Sequence, residues 1–164
     1  QATLLYLAAY LVMNYGAFYV TILIANHTGS ETIDDYKGLG KRMPLIGAAF
    51  TVFLISLVGL PPAFGFIGKW MIFTALLNKG ALFMGLALIG ILTSVISLYY
   101  YMLIPLNMYL RESERPEEGT IDTSMGAKLV TAALMILTLY FGLFPQPLIN
   151  FANYSSVLFG AILK

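Results

Sequence analysis

The sequence predicts an all-α membrane protein: four transmembrane helices, the second broken at Pro61-Pro62, and a C-terminal interfacial helix. Three observations carry that expectation. The 164 residues are 59% hydrophobic and 10% charged, with mean hydropathy +0.83, far from a soluble domain in which about a quarter of residues are charged. Four apolar stretches reach the length a bilayer core requires, roughly 20 residues per helix. Finally, every Lys, Arg, Asp and Glu except Lys69 falls in a loop, at a helix end or at the C-terminus.

The elements follow in order. A first helix is expected over about 2–25. The second apolar stretch, 45–77, is too long for one straight crossing. Pro61-Pro62 removes two backbone donors inside it, which divides it into two half-helices. The third helix is expected over 81–110 and the fourth over 125–144. The run 148–163 follows Pro145-Gln146-Pro147 and carries Asn150, Asn153, Ser155 and Ser156, a pattern that suits a helix lying in the interface. Residues 1–164 form a single membrane segment without internal repeats. Gln1 stands where an initiator Met would, and apolar sequence begins without a basic leader. This argues against a signal peptide and for a piece of a longer protein.

Loop charge sets the expected orientation. Lys37, Lys41, Arg42, Arg111, Arg115 and Lys128 lie on one side, with only Lys79 and Lys164 on the other. By the positive-inside rule loops 26–44 and 111–124 face the cytoplasm, and both ends of the chain lie outside. All eight acidic residues also lie in those two loops, so Lys69 is expected to have no carboxylate partner within its own chain.

Lys69 is the leading candidate for function. A lone ammonium in hydrocarbon is costly and marks ion transfer, counter-charge or substrate binding. Leu77, at the end of the stretch, lies eight residues further on, about 12 Å along a helix, which is too far for comfortable snorkelling. Gly59, Pro61, Pro62, Gly65 and Gly68 flank Lys69. Glycines permit close backbone approach, and prolines leave carbonyls of the preceding turn without a donor. In the third helix Thr93, Ser97 and Tyr101 recur at four-residue spacing, with Ser94 beside them. They share a face that could line a hydrated path or serve as hydroxyl packing between helices. Tyr99-Tyr100-Tyr101 also suits an aromatic belt. Asn14 and Gly16 read as helix-packing residues, and His27 as a solvated residue at a helix end.

Other chemistries lack support. The loops carry no metal-ligand spacing, phosphate-binding glycine pattern or Ser/His/Asp set, and their mixed charge offers no nucleic-acid patch. With no cysteine, disulfides, Cys-ligated zinc and iron–sulfur clusters are excluded from this chain.

Thr28-Gly-Ser-Glu31, then Asp34-Asp-Tyr-Lys-Gly-Leu39 and Met43-Pro44, resemble the cytoplasmic loop of the N-subunit family of respiratory complex I, the proton-pumping NADH:quinone oxidoreductase. Phe53-Leu-Ile-Ser-Leu-Val-Gly-Leu-Pro-Pro62 and Gly65-Phe-Ile-Gly-Lys-Trp70 resemble that family's broken twelfth helix. Thr93-Ser-Val-Ile-Ser-Leu-Tyr-Tyr-Tyr101 resembles the thirteenth, and Phe144-Pro-Gln-Pro147 the end of the fourteenth. The likeness runs in order along almost the whole chain, although Ala63-Phe64 departs from the family's usual Thr or Leu followed by Ala.

The resemblance implies the C-terminal part of a fourteen-helix antiporter-like subunit in a bacterial inner membrane, with Lys69 relaying protons. The other proton-path residues would lie on ten preceding helices. It implies no cofactor in this chain, since NADH, flavin, iron–sulfur clusters and quinone would work elsewhere in the complex. The implied partners are the rest of the subunit, neighbouring membrane subunits and lipid, without nucleic acid. The chain would thus be a non-redox subunit of a translocating oxidoreductase. Two other readings share these residues: a subunit of a multisubunit cation/proton antiporter, and a structural membrane-arm segment without its own proton path.

The orientation gives a direct expectation. In this cysteine-free chain, Ser113→Cys should react only with reagent on the cytoplasmic side and Ser155→Cys only with reagent outside. Labelling of both from one side would contradict the four-crossing topology.

Overall fold

A computed structural model of the chain describes residues 2–29, 32–77, 79–112 and 119–162. The loop charges Glu31, Glu114, Arg115, Glu117 and Glu118, together with Ser113 and Lys164, lie outside the described residues. Among the described residues the secondary structure is helical, without strands. The helices are α1 (Ala2–Thr28), α2 (Leu39–Arg42), α3 (Pro44–Val58), α4 (Phe64–Leu77), α5 (Ala81–Leu110), α6 (Met125–Leu143) and α7 (Gln146–Ile162), with a 3-10 turn at Ile33–Tyr36. Three of them, α1, α5 and α6, are long and apolar enough to cross a membrane. The apolar α3 and α4 are shorter, at 15 and 14 residues. Each extends only about 21–23 Å, less than a hydrocarbon core of about 30 Å.

Burial identifies α3 as the central helix. Its buried residues, Ile46, Gly47, Ala49, Phe50, Phe53, Leu54, Ser56 and Val58, are spread around more than one face. On α1 burial is confined to a stripe of Leu5, Ala9, Met13, Gly16, Ala17, Val20 and Ile24, the spacing of one helical face. Gly16 makes the closest part of that contact: a Cβ there would lie 2.6 Å from the Phe53 ring. The amide of Asn14 stays within its own helix, donating to the Tyr10 carbonyl at 2.8 Å. Only Ala87, Asn107 and Met108 of α5 are buried, so most of that helix is an outer wall. One face of α7 packs through Ala152 with Leu5, Ala9 and Phe64, while Phe151 and Tyr154 are exposed.

Local chemistry explains the helix ends. Pro44 occupies the first turn of α3, where a missing N–H costs nothing. At the other end Gly59 adopts φ +88° and its N–H closes on the Ile55 carbonyl. α1 continues past position 25 to Thr28, whose hydroxyl donates to Ile24 at 3.0 Å, and stops at Gly29 with φ +68°. The exposed His27 therefore belongs to its last turn. Ser124 accepts from Ala127 N at 3.2 Å and starts α6. α7 begins two residues before the expected position, because Pro147 is tolerated in a first turn.

The two charged loops meet at one end of the bundle. Ile121 N donates to the Arg42 carbonyl at 3.0 Å, and Gly38 N donates to Asn107 O at 3.3 Å. Tyr36 is buried beside Phe50. Lys128 sits 2.5 Å from Asp122 and holds its carboxyl below the usual carboxylate range, first by hydrogen bonding and then by charge. The pair therefore persists at neutral pH and is lost as pH falls through that depressed value. It is exposed and contributes little to stability.

Between α3 and α4 the chain turns through residues 59–63, with a cis Pro61-Pro62 peptide. Ser56 fastens the second helix to the first: its fully buried hydroxyl accepts from Gly65 N at 3.0 Å and lies 3.4 Å from Met13 Sδ. Gly65 has no room for a side chain, since a Cβ would collide with the Ser56 carbonyl. Gly142 of α6 is equally tight against the backbone of Pro62 and Ala63. Gly65→Ala should therefore lower the amount of folded subunit, with a cost of about 1–3 kcal/mol from overpacking. Gly85→Ala, which meets open space, should leave the amount unchanged. Quantitation of each variant in purified membranes checks this, and equal amounts would contradict it.

Candidate functional site

The site forms where α4 passes the end of α3 and the side of α5. In an α-helix the Val58 carbonyl would accept from the N–H of residue 62, but residue 62 is Pro and has none. Lys69, in the second turn of α4, supplies the missing donor: its Nζ is 2.7 Å from Val58 O. The same ammonium is 3.0 Å from Ser94 Oγ on α5, and Ser94 in turn donates to Gly90 O at 2.9 Å. An ammonium has three donors, so these two acceptors leave a third hydrogen for water or another group. Among the described residues no carboxylate pairs with Lys69.

Gly59 admits the lysine stem. A Cβ at that position would lie 2.7 Å from Lys69 Cδ, and its positive φ already disfavours any L side chain. The half-buried Lys69 lies between two cavities. One, of about 200 Å³, is mostly apolar and is walled by Leu60, Phe66, Trp70, Ile91 and Val95. The other, of about 370 Å³, is more polar and includes Tyr6, Thr93 and Ser97. Lys69, Phe73 and Ser94 line both.

The sequence candidates divide accordingly. Lys69 and Gly59 touch directly, and Thr93 and Ser97 share the polar cavity with the lysine. Pro61 and Pro62 act through the backbone, by removing donors behind the Val58 carbonyl. Gly65 and Gly68 are placed for close packing instead, Gly65 against Ser56 and Gly68 against Tyr6. Tyr101 packs with the core formed by α1 and α3 and lines neither cavity. Three participants were not among the leading candidates: Ser94, Tyr6 and the Val58 carbonyl. The carbonyl has a simple signal, being four residues before Pro62. Ser94 stood beside the four-residue pattern of its helix, and Tyr6 gave no signal. The described residues contain no cluster of His, Cys, Asp or Glu able to hold a metal.

The fold and site define a helical membrane protein with a lysine held at the junction of two short apolar helices. The chain belongs to the NADH:quinone oxidoreductase/Mrp antiporter transmembrane family, whose model matches residues 1–97. It is 66% identical, over its whole length, to NADH-quinone oxidoreductase subunit N of Chlorobium chlorochromatii, covering 32% of that protein. Subunit N 2 of Chloroherpeton thalassium is 58% identical over 99% of the chain, again covering 32% of that relative. A chain in the solved respiratory complex I from Thermus thermophilus with bound aureothin matches 87% of this one, with TM-score 0.68 and 29% identity, covering 33% of that chain. The present chain thus spans about a third of the length of the relatives it matches.

The geometry at Gly59 can be tested apart from any activity. Gly59→Ala carries both a positive-φ penalty of about 1–2 kcal/mol and displacement of the Lys69 stem. Gly29→Ala, at φ +68° in open space, carries the backbone penalty alone. Thermal unfolding in detergent should show the larger fall in Tm for Gly59→Ala. Equal falls would contradict the contact with the lysine.

Proposed function

We propose that the chain is the C-terminal third of a proton-translocating membrane subunit of an NADH:quinone oxidoreductase, and that Lys69 relays protons in it. The observation that carries this reading is the seating of Lys69. Its ammonium rests on a backbone carbonyl and a hydroxyl, between two cavities, without a counter-carboxylate among the described residues. A cation kept permanently charged inside a protein is usually paired with an opposite charge. Neutral acceptors suit a lysine that must also exist uncharged.

In this reading α3 and α4 are the halves of one interrupted crossing, which with α1, α5 and α6 makes four, and α7 lies at the interface. The joined charged loops face the cytoplasm, and both ends of the chain lie outside. The subunit takes no part in electron transfer, which proceeds on cofactors held by other subunits of the complex. Its partners are the remaining two-thirds of its own length, adjacent subunits of a bacterial membrane assembly, and lipid. The names of the relatives favour the oxidoreductase over a free-standing cation/proton antiporter.

The test uses the complete subunit in its assembled complex. Lys69→Met keeps approximate length and removes the charge, so NADH-driven proton uptake into vesicles should fall about tenfold or more with assembly intact. Lys69→Arg keeps a charge that does not readily leave, so it should be impaired as well. Uptake should persist in sodium-free buffer. Wild-type uptake by an assembled Lys69→Met complex would overturn the relay, and a strict sodium requirement without need for NADH would favour the antiporter reading.

A further inference from the structure

Ser94 is the only side chain among the described residues that hydrogen-bonds the Lys69 ammonium; the other acceptor is main chain. We propose that Ser94 is a positioning residue whose hydroxyl pairs with Lys69 in both of the lysine's charge states. This deepens the relay reading above and rests on it.

The two acceptors differ in what they can do. The Val58 carbonyl only accepts, so it serves any N–H of Lys69 but offers nothing to a nitrogen lone pair. A serine hydroxyl has one donor and two acceptor lone pairs, and its hydrogen can rotate. In the arrangement observed, Lys69 donates to Ser94 Oγ while Ser94 donates to Gly90 O, at 3.0 and 2.9 Å. When Lys69 gives up its proton, its nitrogen keeps two N–H groups and gains a lone pair. One N–H can remain on the Val58 carbonyl. The Ser94 hydrogen can then turn from Gly90 O to the lysine nitrogen. Gly90 O loses little by this, because as a residue inside α5 it still accepts the main-chain N–H four residues on.

Rotation of one hydroxyl therefore exchanges donor for acceptor without moving either helix. No other hydrogen-bonding group placed on Lys69 here can make that exchange. Ser94 is also well situated for it, since Ser94 and Lys69 both line the apolar and the polar cavity. Their contact thus belongs to the wall between the two. Without the hydroxyl, no side chain among the described residues would offer that lone pair a hydrogen, and a half-buried group left unpaired is costly.

Thr and Val differ by a hydroxyl at nearly equal shape, so together they separate chemistry from packing. In the complete, assembled complex, Ser94→Thr should retain NADH-driven proton uptake close to wild type. Ser94→Val and Ser94→Ala should each lower it by about fivefold, the equivalent of roughly one hydrogen bond. In a Lys69→Met background, Ser94→Thr and Ser94→Val should give the same residual rate, because the hydroxyl acts only through the lysine. Equal effects of Thr and Val in the wild-type background would overturn the proposal, whether both are harmless or both are damaging. So would a Thr–Val difference that persists undiminished without Lys69. If Lys69→Met impairs uptake while Ser94→Val does not, the relay reading stands and only this inference fails. Wild-type uptake by Lys69→Met would remove both.

Discussion

Pro62 has no N–H to offer the carbonyl of Val58, and Val58 is buried, where such a carbonyl cannot readily turn to water. An unpaired backbone carbonyl there costs several kcal/mol, and an ammonium without acceptors costs more. The chain places the two 2.7 Å apart, so each supplies what the other lacks. The remaining features of the site follow from that pairing. Gly59 must lack a side chain for the lysine stem to pass. α4 must begin close under α3, which the Ser56 hydroxyl on Gly65 N achieves. α6 must come close behind the turn, which Gly142 permits.

The same pairing gives the lysine its chemical character. A charge-assisted hydrogen bond of this kind contributes about 1.5–3 kcal/mol, enough to seat a charged group without fixing it permanently. An opposing carboxylate would bind the proton's charge much more firmly. With a carbonyl and a hydroxyl as acceptors, the lysine's charge remains open to influence from groups beyond the chain. That sensitivity is what a relay driven by neighbouring charges requires. It also fits the wide exposed wall of α5, with Leu82, Leu88, Leu92 and Ile96 turned outward, which leaves ample surface for lipid or for further helices of a longer subunit.

Much of this was legible in the sequence. The long apolar stretches marked the helices because bilayer length and apolar composition are strong constraints. Their ends were less exact, since hydropathy reports where hydrocarbon ends and not where the hydrogen-bond ladder stops. Asn26, His27 and Thr28 are polar yet helical, and only the left-handed Gly29 ends α1. The 3-10 turn and α2 were not anticipated, because each has four residues and depends on docking against α3 and α5. Lys69 and the proline pair stood out because a charge and two missing donors are conspicuous in apolar sequence. The partner hydroxyl did not, because the rotation of α5 about its axis is fixed by packing. Four-residue spacing pointed to Thr93, Ser97 and Tyr101, whereas the residue facing Lys69 is Ser94.

The direct measurement is an experimental density map of the complete assembled complex, fine enough to place the Lys69 side chain. Lys69 Nζ should lie within about 3.2 Å of the Val58 carbonyl oxygen, the range of a true hydrogen bond. A lysine pointing elsewhere, with that carbonyl occupied by another donor and Nζ beyond about 4 Å, would contradict the pairing on which the site is built.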